Sequence, residues 1–89
     1  MIAIVWQSQF KKDFKNILKR KKKLSKLESI IKKLQSCHSL PFKNKNHKLK
    51  GNYTSCWECH IEPDWLLIYK LTTDELILIR TGSHSDLFK

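Results

Sequence analysis

The sequence predicts an α+β fold of order βααβββ, with an antiparallel sheet packed against an N-terminal helical hairpin. Three observations carry this. The first half holds two stretches with apolar residues at helical spacing. The second half changes to β-branched and aromatic runs bounded by turn residues, and the chain opens on a short apolar segment. At 89 residues the chain can bury one small core, so residues 1–89 are read as a single domain.

Residues 1–6 are β-branched and apolar on both faces, as in a short buried strand. Ser8 is a candidate N-cap for the first helix, in which Phe10, Phe14, Ile17 and Leu18 recur at i, i+4, i+7 and i+8. Lys11, Lys12, Lys15 and Lys19 cover its other faces, and the helix is expected to end where like charges crowd over residues 20–23. Ser25 and Glu28 have the spacing of a capping box. Leu24, Leu27, Ile30, Ile31 and Leu34 stripe the second helix, which should stop near Cys37. Residues 38–52 are polar, punctuated by Pro41 and Gly51 and carrying Lys43, Lys45, Lys48 and Lys50. A basic loop this long suggests a functional role. Strands are predicted over 53–61, 65–71 and 75–81, with turns at 62–64 and 72–74 and a short tail after Gly82.

Eighteen Lys and Arg against eight Asp and Glu leave a net charge of +10, which calls for a polyanionic partner. An apolar fraction of 40% excludes a disordered basic tail. No apolar run approaches the roughly 20 residues of a membrane span, and no small-residue cleavage site follows the first segment, so neither membrane nor secretion is expected and the cytoplasm is the default. The odd count of three cysteines argues against a disulfide framework. Cys56 and Cys59 have metal-pair spacing, with Cys37, His38 and His60 as conceivable further ligands. On a strand, however, Cys56 and Cys59 point to opposite faces, and the preferred reading is no metal and no cofactor.

Two tight hairpins bring the ends of the C-terminal strands together. His60, Asp64, Trp65, Arg80 and the tail with His84 should meet at one rim of the sheet. His47 lies in the basic loop, and its spacing does not place it. Two imidazoles, a carboxylate, a guanidinium and an indole suit RNA cleavage. A base takes the proton of a ribose 2′-hydroxyl, an acid protonates the leaving 5′-oxygen, a cation stabilises the phosphorane and an aromatic face stacks on a base. Each residue also has a plainer reading: surface histidines, a turn aspartate, a core tryptophan, an arginine that satisfies a carboxylate such as Asp64, and lysines that solvate helices.

The string from His60 through Pro63, Asp64, Trp65 and Tyr69, with the ending Arg80-Thr81-Gly82-Ser83-His84 to Phe88, resembles the YafQ-type branch of the RelE/ParE toxin superfamily. His47-Lys48-Leu49-Lys50-Gly51 is similar to the segment that precedes the first C-terminal strand there. The resemblance implies a RelE-like fold and a type II toxin that cleaves mRNA, typically on the ribosome, and is held inactive by a small antitoxin. It implies catalytic or RNA-placing roles for His47, His60, Asp64, His84 and Phe88, with Trp65 beside them. In this reading His84 is the acid, and Asp64 or His60 is the base or its orienter. His47 holds phosphate, Arg80 or a lysine such as Lys50 supplies the cation, and Phe88 supports the pocket. Lysines on both helices would dock on rRNA. The competing classes are a non-catalytic basic binding module, a ParE-like toxin directed at gyrase, and a small metalloprotein.

Overall fold

A computed structural model describes residues 2–36, 40, 42–53 and 55–88. The elements are β1 (Ala3–Trp6), α1 (Ser8–Lys19), α2 (Leu24–Gln35), β2 (His47–Lys48), β3 (Trp57–Glu62), β4 (Trp65–Leu71), β5 (Glu75–Gly82) and α3 (His84–Leu87). Single 3₁₀ turns lie at Phe42–Asn44 and Gly51–Tyr53. The predicted order stands, with two additions and one shifted boundary. The basic loop contains the two-residue strand β2, the strand expected from residue 53 starts at Trp57, and the tail forms the one-turn helix α3. Cys37, His38 and Pro41 lie outside the described residues.

Five strands run in the order β1-β5-β4-β3-β2. The β2–β3, β3–β4 and β4–β5 pairs are antiparallel, but β1 lies parallel to β5, with Ala3 opposite Glu75 and Trp6 opposite Leu78. The sheet is therefore mixed. No hairpin ties β1 to β5; the chain passes through both helices and then β2, β3 and β4 before it returns as β5, well beyond the dozen residues a parallel pair needs.

The helix ends differ from expectation. The N-caps of α1 and α2 are Gln7 and Lys23, neither with a side-chain cap, so Ser8 and Ser25 sit inside their helices. Helix α1 stops through backbone bonding. Lys21 takes a left-handed φ of 55°, its N–H reaches the Leu18 carbonyl, and Lys22 N–H reaches that of Ile17. This is the paired bonding of a Schellman ending, with lysine in the usual glycine place. The capping box is found instead on α3, between Ser83 and Asp86.

Strand β4 divides the core. Trp65, Leu67 and Tyr69 face the helices and pack with Phe10 and Ile17 of α1, Leu27, Ile30 and Leu34 of α2, and Leu76 and Leu78 of β5. Leu66 and Ile68 face the other way and pack with Leu87 of α3, Tyr53, Leu49, Cys56 and Ile79. Alternation with burial on both sides is the signature of a central strand. The second face carries no long helix; among the described residues it is covered by Leu87 of α3, Tyr53 of the second 3₁₀ turn and the flanking Leu49 and Cys56, which leaves room for a site.

Candidate active site

His60 pairs with Leu66 and Glu58 with Ile68, so both stand on the second face of the sheet. His47 of β2 lies opposite Glu58. The Glu58 side chain is 6% exposed, and its Oε1 lies 3.5 Å from His47 Nε2 and 3.4 Å from His60 Nε2. One carboxylate thus serves two imidazoles. The ring of His47 is fixed from behind by Nδ1–H donating to the Lys45 carbonyl at 2.7 Å. That carbonyl can only accept, so Nδ1 carries the proton.

His84 arrives from the opposite side on the first turn of α3. Asp64, in the two-residue turn between β3 and β4, accepts the His84 backbone N–H at 2.9 Å and its Nδ1–H at 2.6 Å, both on Oδ1. These two bonds, the backbone one foremost, hold the Asp64 carboxyl below the usual carboxylate range. They also fix the His84 tautomer and leave Nε2 free. The His60 and His84 rings meet edge to face with centroids 5.6 Å apart, and the His47 and His60 centroids are 6.4 Å apart.

Helix α3 is itself pinned. Arg20, at the end of α1, donates to both oxygens of Asp86 at 2.6 and 3.1 Å, and Ser83 N–H donates to Asp86 Oδ2 at 2.9 Å. The guanidinium, together with that N–H, holds the Asp86 carboxyl far below its ordinary range. Gly82 permits this approach. At its φ of 156°, a Cβ would lie 2.8 Å from Asp86 Oδ2. The turn before β4 is braced by Lys26 and Lys22, which reach Glu62 at 2.9 and 3.3 Å and keep its carboxyl low.

Of the predicted rim, His60, Asp64 and His84 come together and His47 joins them through β2. Trp65 and Arg80 differ from the expectation in different ways. Trp65 has no exposed surface; it faces the helical core and donates Nε1–H to Thr81 Oγ1 at 3.0 Å, so it offers no stacking face. Arg80 is paired. Beyond Leu78 the outer edge of β5 has no strand beside it, and the buried Asp13 of α1 takes that place. Its carboxylate accepts Thr81 N–H at 3.1 Å, Arg80 Nε at 2.7 Å and Arg80 Nη2 at 3.2 Å. Arg80 thus satisfies a carboxylate, but Asp13 rather than Asp64. Lys50 is exposed and in no ion pair among the described residues. Phe88 is 43% exposed and meets Tyr53 edge to face at 5.9 Å, giving the open face an aromatic wall.

Glu58, Tyr53 and Asn44 escaped the sequence reading. Glu58 was findable, since it precedes His60 by two on one strand and so shares its face. Nothing in the sequence marked Asn44, whose Nδ2 donates to the His60 carbonyl at 2.6 Å and ties the 3₁₀ turn to β3. Cys59 lies in the helical core and Cys56 on the other face; burial pushes the Cys59 thiol up to about 12.

Residues 2–89 of the sequence match the family "Bacterial toxin of type II toxin-antitoxin system, YafQ". The chain belongs to the YafQ toxin family. The Escherichia coli K12 protein named mRNA interferase toxin YafQ is 41% identical over 86 residues, covering 96% of this chain and 94% of that one. YafQ in the E. coli DinJ-YafQ toxin-antitoxin complex superposes with a TM-score of 0.91 at 39% identity, covering 99% and 98% of the two chains. A copper-bound mutant toxin from Helicobacter pylori superposes with a TM-score of 0.94 at 40% identity, covering 99% and 100%. Among the described residues of this YafQ-family chain, no group of three or more His, Cys, Asp or Glu side chains is arranged to hold a metal ion.

Proposed function

We propose that this YafQ-family chain is an endoribonuclease toxin that cleaves mRNA by attack of a ribose 2′-hydroxyl on its own 3′-phosphodiester. The observation that carries the proposal is the pair His60 and His84, each backed by a carboxylate, with rings 5.6 Å apart on a strongly basic body. His84 is the general acid. Asp64 holds its Nδ1–H, so Nε2–H faces outward to the leaving 5′-oxygen. Because Asp64 is committed to His84, the base is His60. The 2′-hydroxyl proton passes to its ring, and the resulting imidazolium is stabilised by Glu58 as the 2′-oxygen–phosphorus bond forms. The phosphorus–5′-oxygen bond then breaks as His84 delivers its proton, leaving a 2′,3′-cyclic phosphate and a free 5′-hydroxyl. The nucleophile is the substrate's own hydroxyl, so these protein groups suffice.

His47 offers its ring to a non-bridging phosphate oxygen, and Phe88 with Tyr53 supports the bases. With Arg80 engaged by Asp13, the remaining charge stabilisation falls to Lys45, which lines the cleft with His60 and His84, and to the exposed Lys50. The exposed Lys11, Lys12, Lys15 and Lys19 of α1 suit attachment to rRNA, and an acidic antitoxin segment suits the same basic surface. In this reading residues 1–89 act as one domain, in the cytoplasm where translating mRNA is found.

The test is digestion of mRNA by purified protein in EDTA, with and without ribosomes. The expected products end in cyclic or 3′-phosphate, and His84→Ala gives none. Intact RNA under both conditions, or cleavage unchanged by His84→Ala, overturns the reading. Inhibition of gyrase instead would support the ParE-like alternative.

A further inference from the structure

We propose that the cleft between α2 and the Phe42–Asn44 turn is the seat of the nucleotides that flank the scissile bond, held as a single strand with Phe42 stacked on one of their bases. The proposal rests on the nuclease reading and extends it to the substrate path. The cleft has a volume of about 780 Å³, and its lining includes both His60 and His84. A strand lying in it therefore runs directly into the catalytic pair.

The charge of the cleft is of one kind. Lys26 and Lys33 stand on the α2 wall and Lys43 and Lys45 on the turn, against the single carboxylate Glu62. Glu62 already binds Lys26 and Lys22. Ser25 and Ser29 lie between the α2 lysines and supply hydroxyls for ribose or base edges. Lys26, Ser29 and Lys33 are three and four residues apart, so they share one face of α2 and follow the cleft for about two helical turns.

Phe42 stands just outside the lining, next in the chain to Lys43, which is part of it, and is 98% exposed, the most exposed large apolar side chain among the described residues. A phenyl ring with no core role, next to two lysines, combines a stacking face with phosphate-binding charge, as single-strand-binding surfaces do. The turn is also rigidly registered to the site. Lys45 N–H donates to the Phe42 carbonyl at 3.0 Å, and the buried Asn44 donates to the His60 carbonyl at 2.6 Å. A base stacked on Phe42 is thereby held at a fixed distance from the general base. An acidic antitoxin segment also matches the charge of this cleft, but the presence of both catalytic imidazoles in its lining favours the strand that is cut.

The test uses fluorescein-labelled 2′-O-methyl RNA of about ten nucleotides, which has no attacking hydroxyl and falls within known single-strand site sizes. Binding is followed by anisotropy across a salt series. Phe42→Ala should weaken binding about tenfold, and Phe42→Trp should restore it. Lys33→Ala with Lys43→Ala should flatten the log–log salt slope by about 0.7 per lost phosphate contact. Thermal melts should not move for Phe42→Ala, because the ring is almost wholly exposed. In ribosome-programmed cleavage, the same variants should raise KM and leave kcat near wild type. If all variants bind within about twofold of wild type at unchanged salt slope, the cleft is not the RNA path. If they lose an acidic antitoxin peptide but keep RNA, the cleft belongs to that partner and the proposal fails. Wild-type cleavage, run in parallel, reports separately on the nuclease reading.

Discussion

Replacing Asp13 removes the carboxylate that stands in for a missing strand at the edge of β5. It accepts Arg80 twice, Thr81 N–H once and Gln9 Nε2 at 3.2 Å, with its side chain 6% exposed and that of Arg80 21% exposed. Breaking such a buried pair from one side costs about 3–5 kcal/mol. Asp13→Ala leaves a guanidinium that still reaches water, so its cost should fall near the lower limit, about 3 kcal/mol. Arg80→Met strands the less accessible carboxylate and should cost more, about 4 kcal/mol. The double variant should lose less than the sum, with a coupling of about 1.5 kcal/mol or more. For a domain of this size the single losses are a large share of the total, and Tm should fall by about 12–24 °C for 3 kcal/mol. Urea unfolding followed by circular dichroism measures all three variants. If each single change costs less than about 1 kcal/mol and the two add without coupling, the structural ion pair is wrong, and Arg80 returns as a free cation for catalysis.

Other outcomes follow from the site. His84→Ala should abolish cleavage and toxicity with an unchanged urea midpoint; a lost fold would instead make His84 structural. Asp64→Ala should lower kcat with little effect on KM, since it frees the ring of His84, whereas Asp64→Asn retains an acceptor and should do less damage. The Asp86 and Glu62 carboxyls have folded-state pKa values below their unfolded ones. Their stabilisation is complete above the ordinary carboxylate range and is lost as pH falls through the lowered values. Urea midpoints measured from neutral pH into acid should therefore drop on the acid side, and Asp86→Asn should flatten that drop; an equally steep profile in the variant would exclude the Arg20–Asp86 pair as its source. Gly82→Ala should displace Asp86 and cost both stability and activity, read by melting and cleavage together; wild-type behaviour would mean the close approach is not needed.

Much of this architecture was legible from spacing. The Phe10–Ile17 and Leu27–Leu34 stripes located both helices, because a helix that packs on a sheet must carry its apolar residues on one face. Paired hairpins were enough to bring His60, Asp64 and His84 together, because antiparallel register follows from short turns. The same logic missed the partner of Arg80. A bulge between Ile68 and Tyr69 shifts the register of β5, and the partner that captures Arg80 lies 67 residues away on α1. Trp65 was ambiguous because a strand-start indole fits a core or a surface equally well until the helices are placed over it. The parallel pairing of β1, the role of Asn44 and the sharing of Glu58 by two histidines are long-range facts that no local pattern encodes.

The parallel contact between β1 and β5 also sets the order of assembly. On a growing chain β1 is made first, yet its neighbour in the sheet is the last strand to appear, so the N-terminal strand waits with its hydrogen-bonding edge open while nearly everything else is synthesised. Such distant pairing slows folding. It also means that the fragment still threaded through the exit tunnel lacks both its closing strand and the imidazole behind it. Ribosome-tethered chains halted before Glu75 should be readily cut by protease and harmless to the ribosome that made them.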